Sequence, residues 1–206
     1  MSVWSCVYRT SCVLTLLVGS VSTASAEGRG TALTTRLLLG AGYANIRTVN
    51  DSVDEAQRGP MVSMQLDVGA RLTSLLGLHA VLLYDTSAWM SRVGDWGTAN
   101  AGAFGMGGGA DIRVLSLLTS LALGWQSTQF TTDDPLSPDG AKAAFVLGRL
   151  GYILPLSRGL GLGAHLFGKY AWSKYDEAAG VRYDPKAYTI GGLLSFGFDG
   201  SRPLIL

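Results

Sequence analysis

This chain has few cysteines, no excess of charge of either sign and few long apolar runs. Of its 206 residues only Cys6 and Cys12 are cysteines, so the remainder can form neither a disulfide nor a thiolate metal site. The formal net charge is +1 and no basic run occurs, which gives no charge signature for nucleic acid. Past the first residues, no stretch reaches the roughly 18 apolar positions that a spanning helix needs.

The first residues are typical of a cleaved signal peptide. Arg9 is the sole charge before Glu27, residues 13–21 form a short apolar stretch, and residues 24–26 (ASA) provide a small-residue cleavage site. A membrane anchor would need a longer apolar run. We therefore predict that residues 1–26 are removed on export, taking both cysteines with them.

What the chain has in abundance is alternation. In residues 62–72 (VSMQLDVGARL) the even positions are apolar and the odd ones are Ser, Gln, Asp, Gly and Arg. A period of two marks a β-strand with one apolar and one polar face. A soluble barrel would turn the leucines inward, whereas a membrane barrel turns them toward lipid. The export signal, the aromatics near strand ends and the regular spacing of the loops favour the membrane barrel.

Eight strands of this kind are predicted in residues 27–206, which we take as one domain. Long polar connections alternate with short ones, which places all long loops on one side when the strand number is even. The prediction is an all-β fold, an eight-stranded antiparallel up-and-down transmembrane β-barrel. The strands are predicted at 33–46, 61–72, 78–91, 102–115, 119–130, 142–154, 160–175 and 188–199; the long connections at 47–60, 92–101, 131–141 and 176–187; and the short ones at 73–77, 116–118 and 155–159.

The polar faces of these strands predict a charged lumen. Charges of both signs inside a narrow barrel should pair, since an isolated buried charge is very costly. We expect Arg113 to pair with Asp67 or Asp111, and a structural plug is favoured over a conduit because eight strands enclose little more than side chains. The predicted lumen network consists of Arg36, Asp67, Arg71, Asp111, Arg113, Arg149, His165 and Lys169, with Gln65 beside it and Asp85 as a further candidate.

Candidates for catalysis or for a cofactor are few. His79 is predicted beside a short turn, flanked in sequence by Ser74 and Asp85, and His165 has no serine close by in sequence. Residues 133–140 hold three aspartates without the spacing of a calcium loop, and residues 105–109 are glycine-rich without the lysine of a phosphate loop. We expect no enzyme activity, no metal and no cofactor.

The last predicted strand carries the most specific local pattern. In residues 189–196 (TIGGLLSF) a polar residue is followed by a glycine two positions on and then by alternating hydrophobic residues, a series that Phe198 continues. This resembles the assembly signal of the small eight-stranded outer-membrane barrels, the OmpA transmembrane-domain and OmpX type. The resemblance covers residues 33–198 and is architectural; the chain departs from it by continuing past the final aromatic. It implies recognition by the barrel-assembly machinery.

On these grounds we expect a monomer in the cell outer membrane, surrounded by outer-membrane lipids. Its role would be structural or a surface interaction with an extracellular ligand through the long loops, where function is usually carried. Two alternatives stay open: an outer-leaflet enzyme that modifies lipid A, which barrels of the same size include, and a narrow pore. No nucleic-acid partner is expected.

Overall fold

The structure, a computed structural model, describes residues 32–49, 54–92, 98–131, 141–156, 159–172 and 186–199. The predicted signal peptide, the tail after β8 and most of the predicted long connections lie outside these residues. No helix in the described part of the chain is long and apolar enough to cross a membrane. The strands are β1 (Ala32–Val49), β2 (Asp54–Arg71), β3 (Leu76–Arg92), β4 (Thr98–Val114), β5 (Leu117–Thr131), β6 (Ala141–Pro155), β7 (Leu160–Trp172) and β8 (Lys186–Asp199).

The strands close into a barrel in simple up-and-down order. Each one pairs antiparallel with the next, and β8 pairs with β1 from Thr34↔Asp199 to Arg47↔Lys186. The closure satisfies the backbone donors and acceptors of every strand without a sheet edge, which a chain crossing hydrocarbon requires. The predicted fold and strand number are confirmed.

Three tight connections lie at the same end of the barrel as the start of β1 and the end of β8. In the first, the Thr73 hydroxyl accepts hydrogen bonds from the backbone N–H groups of Leu75 and Leu76, at 3.2 and 2.9 Å. The third uses Gly159 at φ 81°, a left-handed conformation that favours glycine, and its carbonyl accepts from the Asp199 N–H at 2.8 Å. We call this the short-turn end, and the opposite end the long-connection end.

The first long connection was predicted wrongly. Residues 47–60 were expected to form a loop, but β1 and β2 pair as far as Val49↔Asp54, so only four residues separate them. Pro60 in this segment argues against a central strand, since proline cannot donate to a ladder. The structure accommodates it with a register shift against β3 between Arg58 and Val62.

The barrel has its apolar face outward. On β1, Leu38 is 1% exposed and points into the lumen, whereas its neighbour Leu39 is 48% exposed. Elsewhere on the wall, too, apolar residues face outward and charged residues inward: Leu166 and Leu194 are exposed, whereas Arg149 is buried. Leucines outside and arginines inside are the arrangement of a barrel in lipid, and this confirms the predicted orientation.

Aromatic side chains on the outer wall form two groups toward the ends of the barrel, with others between them. Tyr152, Phe196 and Phe198 lie near the short-turn end. Tyr43 and Tyr188 lie toward the long-connection end, where Tyr170 also stacks on Trp172 with 5.5 Å between ring centroids. Tyr84 and Trp125 lie near the middle of their strands. Amphipathic rings settle at the headgroup level of a bilayer, so the two groups mark its two boundaries. The exposed members are Tyr43, Tyr84, Phe104, Trp125, Tyr152, Tyr188, Phe196 and Phe198.

An apolar layer crosses the middle of the lumen, which the sequence did not predict. On β3 the inward residues Val81 and Leu83 separate His79 from Asp85. On β6 the inward residues Phe145 and Leu147 lie on the long-connection side of Arg149. The doubled leucines at 82–83 obscured the alternation of β3. The buried layer consists of Leu38, Val81, Leu83, Ala122, Ala143, Phe145, Leu147, Phe167, Ala171 and Leu193.

The outer wall yields a depth-dependent prediction. Leu166 lies midway along β7 and Leu162 lies near its short-turn end, and both face outward. We expect Leu166→Arg to lower the free energy of unfolding by about 2–4 kcal/mol and Leu162→Arg by about 1 kcal/mol or less, because an arginine near the boundary reaches water. Urea titration in phospholipid vesicles measures both, and equal losses would contradict the orientation.

Candidate functional site

The polar residues of the lumen form separate clusters on either side of the apolar layer. The larger one, on the short-turn side, is assembled from residues of several strands, each contributing alternate residues to the interior. We call it the short-turn cluster. Its members are Arg36, Asp67, His79, Asp111, Ser120 and Arg149.

Two arginine–aspartate pairs make up the charge of this cluster. Arg149 donates from Nη1 to Asp67 Oδ1 at 3.0 Å, and its Nη2 lies 2.8 Å from Asp67 Oδ2, a two-pronged contact with both side chains 2% exposed. Arg36 donates to Asp111 and lies 3.7 Å from Asp67. Two cations therefore face two anions, which removes the large cost of burying either sign alone.

His79 joins the two pairs. Its Nδ1 lies 3.3 Å from Asp111 Oδ1, and its Nε2 lies 3.2 Å from Arg149 Nη2 and 3.4 Å from Ser120 Oγ. From the sequence, His79 is expected beside a turn and is not among the predicted lumen residues. The signal that could have found it is its parity with Asp85 on β3, since residues six apart on a strand face the same side.

A second set of contacts closes the short-turn end. Arg71 Nη1 and Arg113 Nη1 each lie 2.8 Å from Asp199 Oδ2, the carboxylate of the last residue of β8. Arg113 was expected to pair with Asp67 or Asp111. Asp199 was counted at the end of a strand and not in the lumen network, so its contribution was missed.

The smaller cluster lies on the long-connection side of the apolar layer. Lys169 pairs with Asp85 and also donates to Gln126 Oε1 at 2.9 Å, and Gln126 donates in turn to Thr128 Oγ1 at 3.2 Å. Asp85, named from the sequence as a further candidate, thus faces the lumen as the partner of Lys169.

His165 has a serine partner that its sequence neighbourhood does not contain. Its Nε2 lies 2.7 Å from Ser195 Oγ on the adjacent strand β8. The ring lies directly against Gly151 on β6, where a Cβ atom would overlap the imidazole, so this position needs glycine. The pairing of β7 with β8 brings Ser195 next to His165, and the sequence of β7 alone could not predict this contact.

The short-turn cluster has the order of groups found in serine hydrolases, aspartate to histidine to serine. Its geometry does not favour that chemistry, because Arg149 Nη2 donates to Ser120 Oγ at 3.0 Å and all three groups are buried. The His165–Ser195 pair has no hydrogen bond from a described residue to His165 Nδ1, so a carboxylate does not orient that ring. The arrangement is suited to holding strands together.

Small cavities lie at both ends of the lumen. One, of about 50 Å³, is lined by Arg71, Arg113 and Asp199 among others, and another of the same size by Asp85 and Lys169. Each cavity has room for a few water molecules, since one water needs a cavity volume of about 10–15 Å³. The apolar layer separates them.

The sequence features that were weighed and not favoured as metal or phosphate sites are residues 133–140 and 105–109. No group of three or more His, Cys, Asp or Glu side chains in the described part of the chain is placed to hold a metal ion. Residues 105–109, which are glycine-rich but lack the lysine of a phosphate loop, lie inside β4. The acidic residues 133–140 lie outside the described ranges.

Comparisons with known proteins find similarity to outer-membrane barrels. No protein-family model and no curated protein matches the chain. Among solved structures, it is similar to a major outer membrane protein from Thermus thermophilus (12% identity, TM-score 0.47, 81% of this chain and 98% of that one). It is also similar to Ail from Yersinia pestis (14%, 0.43, 82% and 99%) and to Neisserial surface protein A (11%, 0.42, 77% and 95%). At such identities the likeness concerns the fold alone.

The structure itself defines the class of the protein. A closed sheet of eight antiparallel strands, with leucines on its outer wall and paired charges in its lumen, is a small transmembrane β-barrel of the outer-membrane type.

The short-turn cluster predicts that Arg149 stabilises the barrel strongly. Arg149→Met leaves Asp67 and Ser120 buried without their shortest contacts, so we expect a loss of about 3–5 kcal/mol in the free energy of unfolding. The matched control is Lys186→Met, an exposed cation at the other end, with an expected change within about 0.5 kcal/mol. Urea unfolding followed by tryptophan fluorescence measures both; similar values for the two variants would show that the pair stabilises little.

Proposed function

We propose that the protein is a monomeric integral protein of the cell outer membrane that acts without catalysis, as a structural barrel and surface-interaction protein. One observation supports this above all: the lumen is filled by an apolar layer between two sets of paired charges. A filled lumen leaves the connections at the long-connection end as the accessible part of the molecule, and loops on a rigid scaffold commonly carry binding.

We propose that the barrel is inserted with its short-turn end toward the periplasm. Small outer-membrane barrels keep their short turns in the periplasm and extend longer connections outside the cell. The turns at 72–75, 115–116 and 156–159 would then face the periplasm. Outer-membrane lipids surround the wall, and the long connections face an extracellular ligand. Export would use the signal peptide predicted at residues 1–26.

Assembly would depend on β8. This strand carries Ile190, Leu194 and Phe196 on its outer face, with Thr189 and Ser195 buried on the inner one. The pattern supports the implied recognition by the barrel-assembly machinery, which would act on the strand that closes the barrel against β1.

An epitope tag tests location and direction together. We expect a tag between residues 136 and 137 to be labelled by antibody on intact cells, because it follows β5 at the long-connection end. The matched control, a tag between residues 73 and 74, should be labelled only after the outer membrane is permeabilised. Labelling of the 73–74 tag on intact cells would reverse the direction, and release of the protein from membranes by a carbonate wash would contradict the membrane assignment.

The order Asp111–His79–Ser120 is the observation that favours the alternative, an enzyme that modifies lipid A. We expect the mass spectrum of lipid A to be the same in cells that have the protein, lack it, or carry Ser120→Ala. A change of acyl chains that depends on Ser120 would establish the enzyme. Planar-bilayer recordings address the narrow pore in the same way, since the apolar layer predicts no discrete conductance steps.

A further inference from the structure

A groove crosses the outer wall of the barrel on the side formed by β5 to β8 and β1. It has a volume of about 470 Å³ and is apolar: leucines form its walls and small residues its floor. The wall residues are Leu39, Leu117, Leu150, Tyr152, Leu166 and Leu194.

The floor is low because of two residues, Ala164 and Gly192. In the strand register Ala164 lies between Tyr152 and Leu194, and Gly192 lies beside Leu166. A Cβ atom built on Gly192 would meet a single atom within 4 Å, the backbone oxygen of His165 at 3.9 Å, so the space above it is open. Leu166 and Leu194, about 70% exposed, stand on either side.

The groove reaches the bilayer boundary at the short-turn end. Leu117 is the first residue of β5, directly after the turn at 115–116, and it pairs with Tyr152, three residues before the end of β6. Tyr152 belongs to the group of aromatics that marks this boundary, where a phenol hydroxyl meets lipid headgroups. A ligand lying in the groove therefore has its polar end at the short-turn boundary and its apolar part toward the middle of the bilayer.

We propose that this groove holds one acyl chain of a glycerophospholipid from the leaflet on the short-turn side. The inference rests on the proposed function for the identity of that leaflet, which is the periplasmic one. The groove is continuous with the belt of leucines already in contact with hydrocarbon, and its lining is suited to a thin, flexible, apolar occupant.

A second copy of the chain fits the groove less well. The walls of two barrels are both convex, so they touch along a narrow line, and a specific protein interface needs about 1,000 Å² of buried surface. A second convex wall would contact the protruding Leu166 and Leu194 before its backbone approached the floor of the groove. An acyl chain has no such restriction, because it bends with the floor.

The test fills the hollow and uses a matched glycine as control. Gly108 on β4 also faces outward, and a Cβ atom there would meet only the backbone oxygen of His79, again at 3.9 Å. We expect native mass spectrometry of the delipidated barrel, incubated with palmitoyl-oleoyl-phosphatidylethanolamine in detergent, to show one retained lipid per monomer. Retention should fall at least tenfold in Gly192→Leu and stay unchanged in Gly108→Leu.

Several outcomes would overturn the proposal: no retained phosphatidylethanolamine in the wild-type barrel, an equal loss in both variants, or a wild-type dimer that Gly192→Leu alone abolishes. If heat-modifiability gels show that Gly192→Leu does not fold, Ala164→Leu fills the same floor and is measured in its place. A carbonate wash of the same membranes keeps the two hypotheses apart. A barrel that resists extraction but retains no lipid contradicts only the groove, whereas an extracted barrel contradicts the proposed function.

Discussion

Hydrocarbon around the wall confines the charges within the depth of the bilayer to the lumen, and there each charge needs a partner. The exposed cations Arg47, Lys142 and Lys186 lie at the long-connection ends of their strands. Arg149 with Asp67, Arg36 with Asp111, and Lys169 with Asp85 answer that requirement with residues from strands far apart in the chain. Because each pair links non-adjacent strands, the pairs determine which faces meet inside the barrel as well as compensating for desolvation. The orientation of the strands, the closed lumen and the accessible long-connection end all depend on this confinement.

The apolar layer gives the lumen a second property, which the ion pairs alone would not provide. Paired charges with water between them still leave a polar path, whereas Val81, Leu147 and Phe145 are almost completely buried in the middle of it. The polar groups therefore lie at the two ends of the lumen, with the apolar layer between them. The barrel therefore has apolar side chains both on its outer wall and in a small hydrophobic core at the centre of the lumen.

Alternation in the sequence predicted most of this fold, because a period of two survives in nearly every strand. It gave eight strands, the outward leucines and the inward arginines of β1, β2, β4 and β6. It failed where a local signal outweighed the pattern: Pro60 suggested a loop although a register shift accommodates it, and Leu82 hid the parity that carries His79 inward. Alternation could not predict which lumen residues contact each other, because Ser195 meets His165 and Asp199 meets Arg113 only through the register of the closed sheet.

The contact at the short-turn end bears on how the barrel is completed. Asp199 is the last residue of the last strand, and the arginines that hold it come from β2 and β4, strands made long before it. Seating β8 to its last residue therefore joins four strands at the short-turn end, β1 and β7 through backbone pairing and β2 and β4 through this carboxylate.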